Sequence, residues 1–290
     1  MTSEITAGAA GTWQLGDRTV NRIGFGAMRL TSGPGGSPSD RDRVVGVLRR
    51  AVELGVNHID TAAFYFSPAR SANELINTAL APYPADLVIA TKVGPGRDPS
   101  GNWTPMARPD QLRGQVEENL RQLGRDHLDL VNLRLLGPQP IAEHLGALAD
   151  LRAEGLIRQL GLSNVRLHHL AEAASVAPVV CVQNRYGITD RQHADVVRAC
   201  GEQGVAFVPY FAIAGPGRES GATGTDPEPV LAVARAHGVS AARVRLAWTL
   251  HQGPHVLAIP GTGNPDHLAD NLAAGTLHLT PDELATLSTP

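Results

Sequence analysis

The stretch Pro109-Asp-Gln-Leu-Arg-Gly-Gln-Val-Glu-Glu-Asn-Leu-Arg-Gln-Leu-Gly-Arg-Asp-His-Leu-Asp-Leu-Val-Asn-Leu-Arg134 carries two hydrophobic periods in succession. Leu112, Val116, Leu120 and Leu123 recur at helical spacing, Gly124 stands where a helix end favours a left-handed residue, and residues 128–134 read as a short buried strand. The same pattern recurs along almost the whole chain. Candidate strands cover residues 22–26, 57–60, 87–92, 128–134, 157–163, 179–183, 206–209 and 255–259. Helical patterns cover 40–54, 71–80, 109–123, 140–152, 165–174, 191–202, 227–236 and 240–250. Asp40, Ser71 and Ser240 are the expected helix caps, Ser71 with Glu74 as a capping box. Eight strands alternating with helices predict a (β/α)8 TIM barrel, one domain over residues 1–290, with a doubly wound sheet as the alternative. Ahead of the first strand, Thr12-Trp-Gln-Leu-Gly-Asp-Arg-Thr-Val20 alternates around Gly16-Asp17 and reads as a β-hairpin plugging the barrel bottom.

Composition excludes several classes. The formal net charge of −3 leaves no basic stripe, so nucleic acid is not an expected partner. No apolar run approaches the roughly 18 residues of a membrane span, and Met1-Thr-Ser-Glu-Ile-Thr-Ala-Gly8 lacks a signal-peptide core, so the expected location is cytoplasmic. Cys181 and Cys200 have no metal-ligand spacing; reduced, buried thiols and no metal are expected. One feature of the charge inventory stands out: of 25 Lys and Arg residues, Lys92 alone is lysine, and it ends a buried strand rather than lying on a surface.

In a closed barrel the strand C-termini form one ring around one pocket. Here that ring holds Asp60, with Tyr65 five residues on, Lys92, Arg134, Ser163-Asn164, Gln183-Asn184 and Tyr210. Asp, Tyr, Lys and Arg at one mouth suit proton transfer and oxyanion stabilisation. Gly/Pro-rich stretches at 31–39, 94–108 and 215–229 follow strand ends and are expected around this pocket, with Trp103 either a lid contact or a side chain packing its loop to the body.

Gly24-Phe-Gly-Ala-Met28, Gly55-Val-Asn-His-Ile-Asp-Thr-Ala-Ala-Phe-Tyr65, Ile89-Ala-Thr-Lys92, Leu156-Ile-Arg-Gln-Leu-Gly-Leu-Ser-Asn164, Val182-Gln-Asn-Arg-Tyr186 and Ile259-Pro-Gly-Thr262 together resemble the aldo-keto reductase superfamily, in family order. The resemblance implies a small-molecule aldehyde or ketone reductase using NADPH, with NADH possible, and no Rossmann domain. It implies Tyr65 as the general acid, Lys92 drawing the phenol pKa toward the working range, and Asp60 holding Lys92. At the strand-four position most members have histidine; this chain has Arg134, always charged and donor-only. Three readings follow: a clamp on the carbonyl oxygen, an anchor for a substrate carboxylate, phosphate or phenolate, or a site that has lost the family chemistry. The Asn-Leu-Arg ending, with Ile259-Pro-Gly-Thr262, resembles a bacterial branch that includes pyridoxal reductases.

Implied cofactor contacts are Gly26, Ala27, Met28 and Asp60 near the first strands, Ser163, Asn164 and Gln183 on the nicotinamide carboxamide, Tyr210 stacking on the ring, and the backbone from Phe211 near the pyrophosphate. At the adenine end they are Gly261, Thr262, His267 and Asn271, with two family cations missing and helix amides after Gly261 available to the 2′-phosphate. Phe64, Phe66 and Trp103 are the candidate substrate wall. The chain's stop soon after helix 280–287 implies an open mouth, suited to a bulky or ring-containing carbonyl compound. Low Lys and Cys usage suggests a high-GC bacterium, with secondary metabolism or vitamin B6-type metabolism as the setting. The alternatives are a cofactor-binding regulatory subunit without turnover and an alcohol dehydrogenase running in reverse.

Overall fold

The computed structural model describes residues 5–32, 39–213 and 226–288. Seven parallel strands form one sheet, in the spatial order Ala206–Phe207, Cys181–Gln183, Ile157–Ser163, Leu128–Arg134, Val88–Val93, His58–Asp60 and Phe25–Gly26. The predicted eighth strand closes it through two isolated parallel bridges, Phe207 with Val256 and Ile23 with Ala258. Phe207 N–H donates to His255 O at 2.9 Å and Ala258 N–H to Arg22 O at 2.8 Å, so the two sheet edges meet across this segment. The fold is the (β/α)8 barrel, with helices outside.

Strand alternation decides what lies inside. Val88, Ala90, Leu130, Cys181, Ala206, Val208 and Leu257 form an inner cluster, whereas Ile89, Val93, Val131, Leu133 and Val182 join the larger core under the helices. By that parity Lys92 follows Val88 and Ala90 inward, Arg134 follows Leu130, Gln183 follows Cys181, and Asp60 follows His58. The hairpin of Thr12–Leu15 and Arg18–Asn21 forms, and its Leu15 and Val20 belong to the inner cluster, beside residues at the strand starts. Outside, helix Arg41–Glu53 buries Val44, Leu48 and Ala51, and the Asp40 side chain accepts the Arg43 N–H as its cap. Helix Leu112–Leu123 ends on Gly124 at φ 63°, the left-handed conformation expected there.

The departures from the sequence reading are local. The helix expected over 109–123 opens as a 3-10 turn, Pro109–Gln111, before Leu112–Leu123. Helices at 165–174 and 191–202 start later, at Leu167 and Ala194. The helix whose amides were expected after Gly261 is Pro265–Leu272, a stretch absent from the periodic helical patterns. The stretch 94–108 is not irregular: Pro95–Arg97 pairs antiparallel with Trp103–Met106. Gly94, at φ 124°, starts this pair, and a Cβ there would lie 2.4 Å from the Arg134 carbonyl oxygen, so glycine lets the loop dock on the end of strand four. Most of the other two loops, residues 33–38 and 214–225, lies outside the described residues. Among the described residues no helix is long and apolar enough to cross a membrane, and no group of His, Cys, Asp and Glu could hold a metal ion.

Candidate active site

Lys92 is 3% exposed and spends all three ammonium protons: Nζ donates to Asp60 Oδ1 at 2.7 Å, to Asp60 Oδ2 at 2.8 Å and to Thr61 O at 2.9 Å. Gln183 Nε2 donates to Asp60 Oδ1 at 2.7 Å, joining strand six to the same carboxylate. Burial alone would pull the Lys92 pKa down, but Asp60 and Tyr65 outweigh it and hold the ammonium charged. Its Nζ lies 4.8 Å from the centre of the Tyr65 ring.

Tyr65 corrects one expectation. Burial pushes its phenol up; Lys92 opposes that, Asp60 reinforces it, and Arg134 also opposes it, but the net direction is upward. Desolvation of the phenolate outweighs the cationic field. The hydroxyl therefore rests protonated, the form a general acid needs, and the Lys92 charge favours its phenolate.

The support behind these groups was not legible in the motifs. Thr61 Oγ1 donates to Asn73 Oδ1 at 2.7 Å, Asn73 Nδ2 to Asn119 Oδ1 at 3.0 Å, and Thr91 Oγ1 to Asn119 Oδ1 at 2.6 Å. This buried chain ties two outer helices to Thr61 and Thr91, the neighbours of Asp60 and Lys92. The available signal was Asn73 and Asn119 on the apolar faces of their helices, a costly placement unless both are satisfied.

Of the three aromatic candidates for a substrate wall, two come together. Phe64 meets Tyr65 edge-on at 5.2 Å and Trp103 at 5.3 Å between ring centres. Trp103, 42% exposed, packs its loop to the pocket and takes guanidinium carbons of Arg97 at 4.5 Å and Arg134 at 4.4 Å. Phe66 is not brought to this cluster; it pairs in the short ladder of Phe66–Ser67 with Arg70–Ser71, and no ring contact joins it to Phe64 or Trp103 among the described residues.

The groups expected at a dinucleotide divide into two sets. Ser163 and Gln183 are buried at adjacent strand ends, and among the described residues nothing bonds the Ser163 hydroxyl or Gln183 Oε1. A free hydroxyl and a free amide oxygen suit the two ends of a carboxamide. Asn164, at φ 61°, is more committed: Nδ2 donates to Leu135 O at 3.0 Å and Oδ1 accepts the Tyr210 hydroxyl at 2.5 Å. Tyr210 is thereby fixed beside that set, edge-on to Phe211 at 5.0 Å.

Glycines 26 and 261 have another reason to lack side chains. A Cβ on Gly26 would lie 2.6 Å from Ile259 O and one on Gly261 2.2 Å from Gly26 O, so they let the first and last strand ends approach. Ala27 is buried, its N–H bonded to Asp60 O at 2.8 Å, and Met28 opens the 3-10 turn Met28–Thr31. The adenine-end expectation is weakened. Pro265 has no N–H, Asn264 Oδ1 takes the Asp266 N–H at 3.0 Å, and Asp266 puts a carboxylate in the first turn. Thr262 Oγ1 accepts the Asn264 N–H at 3.0 Å; His267 is exposed and Asn271 buried one turn further along.

Residues 22–289 match the Aldo/keto reductase family. The chain is 42% identical over 288 residues to pyridoxine 4-dehydrogenase of Escherichia coli (strain K12), covering 96% of this chain and 98% of that protein. An aldo-keto reductase from Klebsiella pneumoniae, solved with NADPH, superposes with a TM-score of 0.79 at 28% identity, over 95% of this chain and 93% of that one. A second Klebsiella pneumoniae structure, with NADP and acetate, gives 0.78 at 27% identity, over 95% and 93%.

Proposed function

The chain belongs to the aldo/keto reductase family, and from that premise we propose that it interconverts a ring-bearing aldehyde and its alcohol with NADPH as hydride donor, a vitamin B6-type aldehyde being the favoured substrate. The observation that carries the reading is the buried Lys92, held by Asp60 and set against Tyr65. The bound dinucleotide supplies the hydride to the carbonyl carbon. The chain's own residues do the rest.

Tyr65, protonated at rest, donates its hydroxyl to the carbonyl oxygen and passes the proton over as negative charge develops there. Lys92 stabilises the resulting phenolate, and Asp60 keeps the ammonium in place so that the charge need not be ordered during reaction. Ser163 and the free Oε1 of Gln183 would hold the nicotinamide carboxamide, with Tyr210 as the aromatic face beside it. Phe64 and Trp103 form an apolar wall for a flat substrate. Reversing each role gives alcohol oxidation, the direction in which the Escherichia coli relative is named. The reaction is one of soluble metabolites, in the cytoplasm.

Mixing the protein with NADPH and pyridoxal should produce steady loss of reduced-nicotinamide absorbance and one pyridoxine per NADPH consumed. Tight NADPH binding with no oxidation across pyridoxal and a panel of aromatic aldehydes would replace this reading with a cofactor-binding subunit without turnover.

A further inference from the structure

Arg134 differs from four other shielded arginines whose groups are spent on protein partners. Arg22 donates to four backbone carbonyls, and Arg125, Arg243 and Arg245 pair with Asp129, Asp270 and Asp226. Among the described residues Arg134 has no carboxylate within salt-bridge distance and no hydrogen bond, and its buried Nε is unpartnered. Two rings hold the guanidinium instead: Trp103 at 4.4 Å and Phe64 at 5.4 Å from ring centre to guanidinium carbon. An aromatic face compensates a cation only in part, and a guanidinium cannot discard its charge.

Arg134 and Tyr65 flank the same aromatic ring, Phe64. The charges of Lys92 and Arg134 both bear on the Tyr65 phenol, with Lys92 Nζ 4.8 Å from its ring centre. Phe64 contacts both Tyr65 and Arg134, which places two donors along one aromatic wall. A substrate whose carbonyl oxygen sits at Tyr65 would bring a second, neighbouring oxygen to Arg134. We propose that Arg134 is a specificity residue that binds an ionised hydroxyl on the ring carbon next to the aldehyde-bearing carbon, so that the preferred substrates are 2-hydroxyaryl aldehydes, with their flat ring against Phe64 and Trp103.

The inference rests on the carbonyl-reductase reading above and narrows it; a pyridine ring with a hydroxyl beside its 4-aldehyde is one member of the class. It also divides the sequence readings of Arg134. A clamp on the carbonyl oxygen serves every aldehyde alike, while an anchor for a neighbouring phenolate serves only those that have one.

The experiment compares kcat/KM for 2-hydroxybenzaldehyde, 4-hydroxybenzaldehyde and benzaldehyde, with NADPH, in the wild type and in Arg134→Leu and Arg134→Lys. Wild type should favour the 2-hydroxy compound over benzaldehyde by about tenfold or more, as expected for one charge-assisted hydrogen bond. In Arg134→Leu that ratio should fall toward one, with Arg134→Lys between. Equal loss on all three aldehydes overturns the proposal in favour of the carbonyl clamp, as does a wild type with no preference. A second arm needs no turnover: 2-nitrophenolate and nitrobenzene are titrated into the NADP-bound protein and Trp fluorescence is followed. Preferential binding of the phenolate that disappears in Arg134→Leu supports the recognition even if no aldehyde is reduced, in which case only the reductase reading fails; no preference in this arm overturns the recognition itself.

Discussion

At the N-terminal end of the barrel, polar groups are spent on the fold. Arg22 Nη2 donates to Leu250 O at 2.5 Å and Gly253 O at 2.6 Å, with further bonds to Ala10 O and Val256 O, tying the first strand to the last. Asp129 accepts the Ile89 N–H at 2.9 Å and pairs with Arg125 at 2.7 Å, and Asp17 takes a hydrogen bond from Gln159. At the C-terminal end the pattern is different: Lys92 and Asp60 bond each other and their neighbours, while among the described residues Arg134, Ser163 and Gln183 Oε1 keep capacity for something else. Both ends contain buried charge, so burial and charge alone do not mark the functional end. Unspent hydrogen-bonding capacity gathered at one pocket is the better marker, although single groups elsewhere, such as Trp13 Nε1 in the N-terminal hairpin, are also unpartnered among the described residues. The middle of the barrel qualifies the rule, since His58 and Asn132 are also unpartnered there.

The largest expected effect that tests this contrast is at the top. Lys92→Met should lower kcat by roughly 10²–10⁴-fold, the usual scale for acid–base assistance, with NADPH affinity retained. Single-turnover oxidation of NADPH and a fluorescence titration measure the two quantities. A variant keeping more than about a tenth of kcat would remove Lys92 from the chemistry.

At the bottom the same kind of change should strike stability instead. Arg22→Ala leaves four carbonyls without their donor and should cost about 3 kcal/mol in denaturant unfolding, with kcat of the folded fraction unchanged. A fall in kcat at constant stability would erase the distinction between the ends.

His58 makes an acid-sensitive middle. Burial lowers its pKa from 6.5 to about 4, so the fold favours the neutral ring. An unfolded chain takes up the proton first, so this contribution is intact above pH 6.5 and is lost progressively as pH falls toward 4, at roughly 3 kcal/mol in total. Unfolding midpoints measured across that window should show the decline, and His58→Met should flatten the slope whatever it does to overall stability.

The smallest effect concerns the cofactor's far end. If the 2′-phosphate lies by the first turn of helix Pro265–Leu272, Asp266→Asn should tighten NADPH binding a few-fold by removing a like charge, and leave NADH binding unchanged. Equal shifts for both nucleotides in equilibrium titrations would place the phosphate elsewhere.

Much of the barrel was legible because its units repeat local signals. Strands Leu128–Arg134 and Ile157–Ser163 have the bounds their apolar runs suggest, and Gly124 and Gly238 close helices in the left-handed conformation. Helix Pro265–Leu272 was implied only by the family resemblance, as amides after Gly261, because it is short and follows a Gly/Pro-rich turn that hides its start. Tyr65, Lys92 and Asp60 could be named from motif and position, but the upward shift of Tyr65 could not, since it depends on how completely neighbouring elements exclude water.

The sequence by itself determined the alternation of strand and helix, the inward parity of Asp60, Lys92, Arg134 and Gln183, and the single lysine among arginines, because each is a property of spacing or residue type. Tertiary structure alone decided which of those groups are spent. Lys92 is held by residues 31 and 32 positions away, Gln183 reaches Asp60 across 123 residues, and Arg134 meets rings from two separate loops but, among the described residues, no carboxylate. Hydrogen-bond saturation is a property of the closed barrel, where distant strand ends converge, and no local stretch of chain contains it.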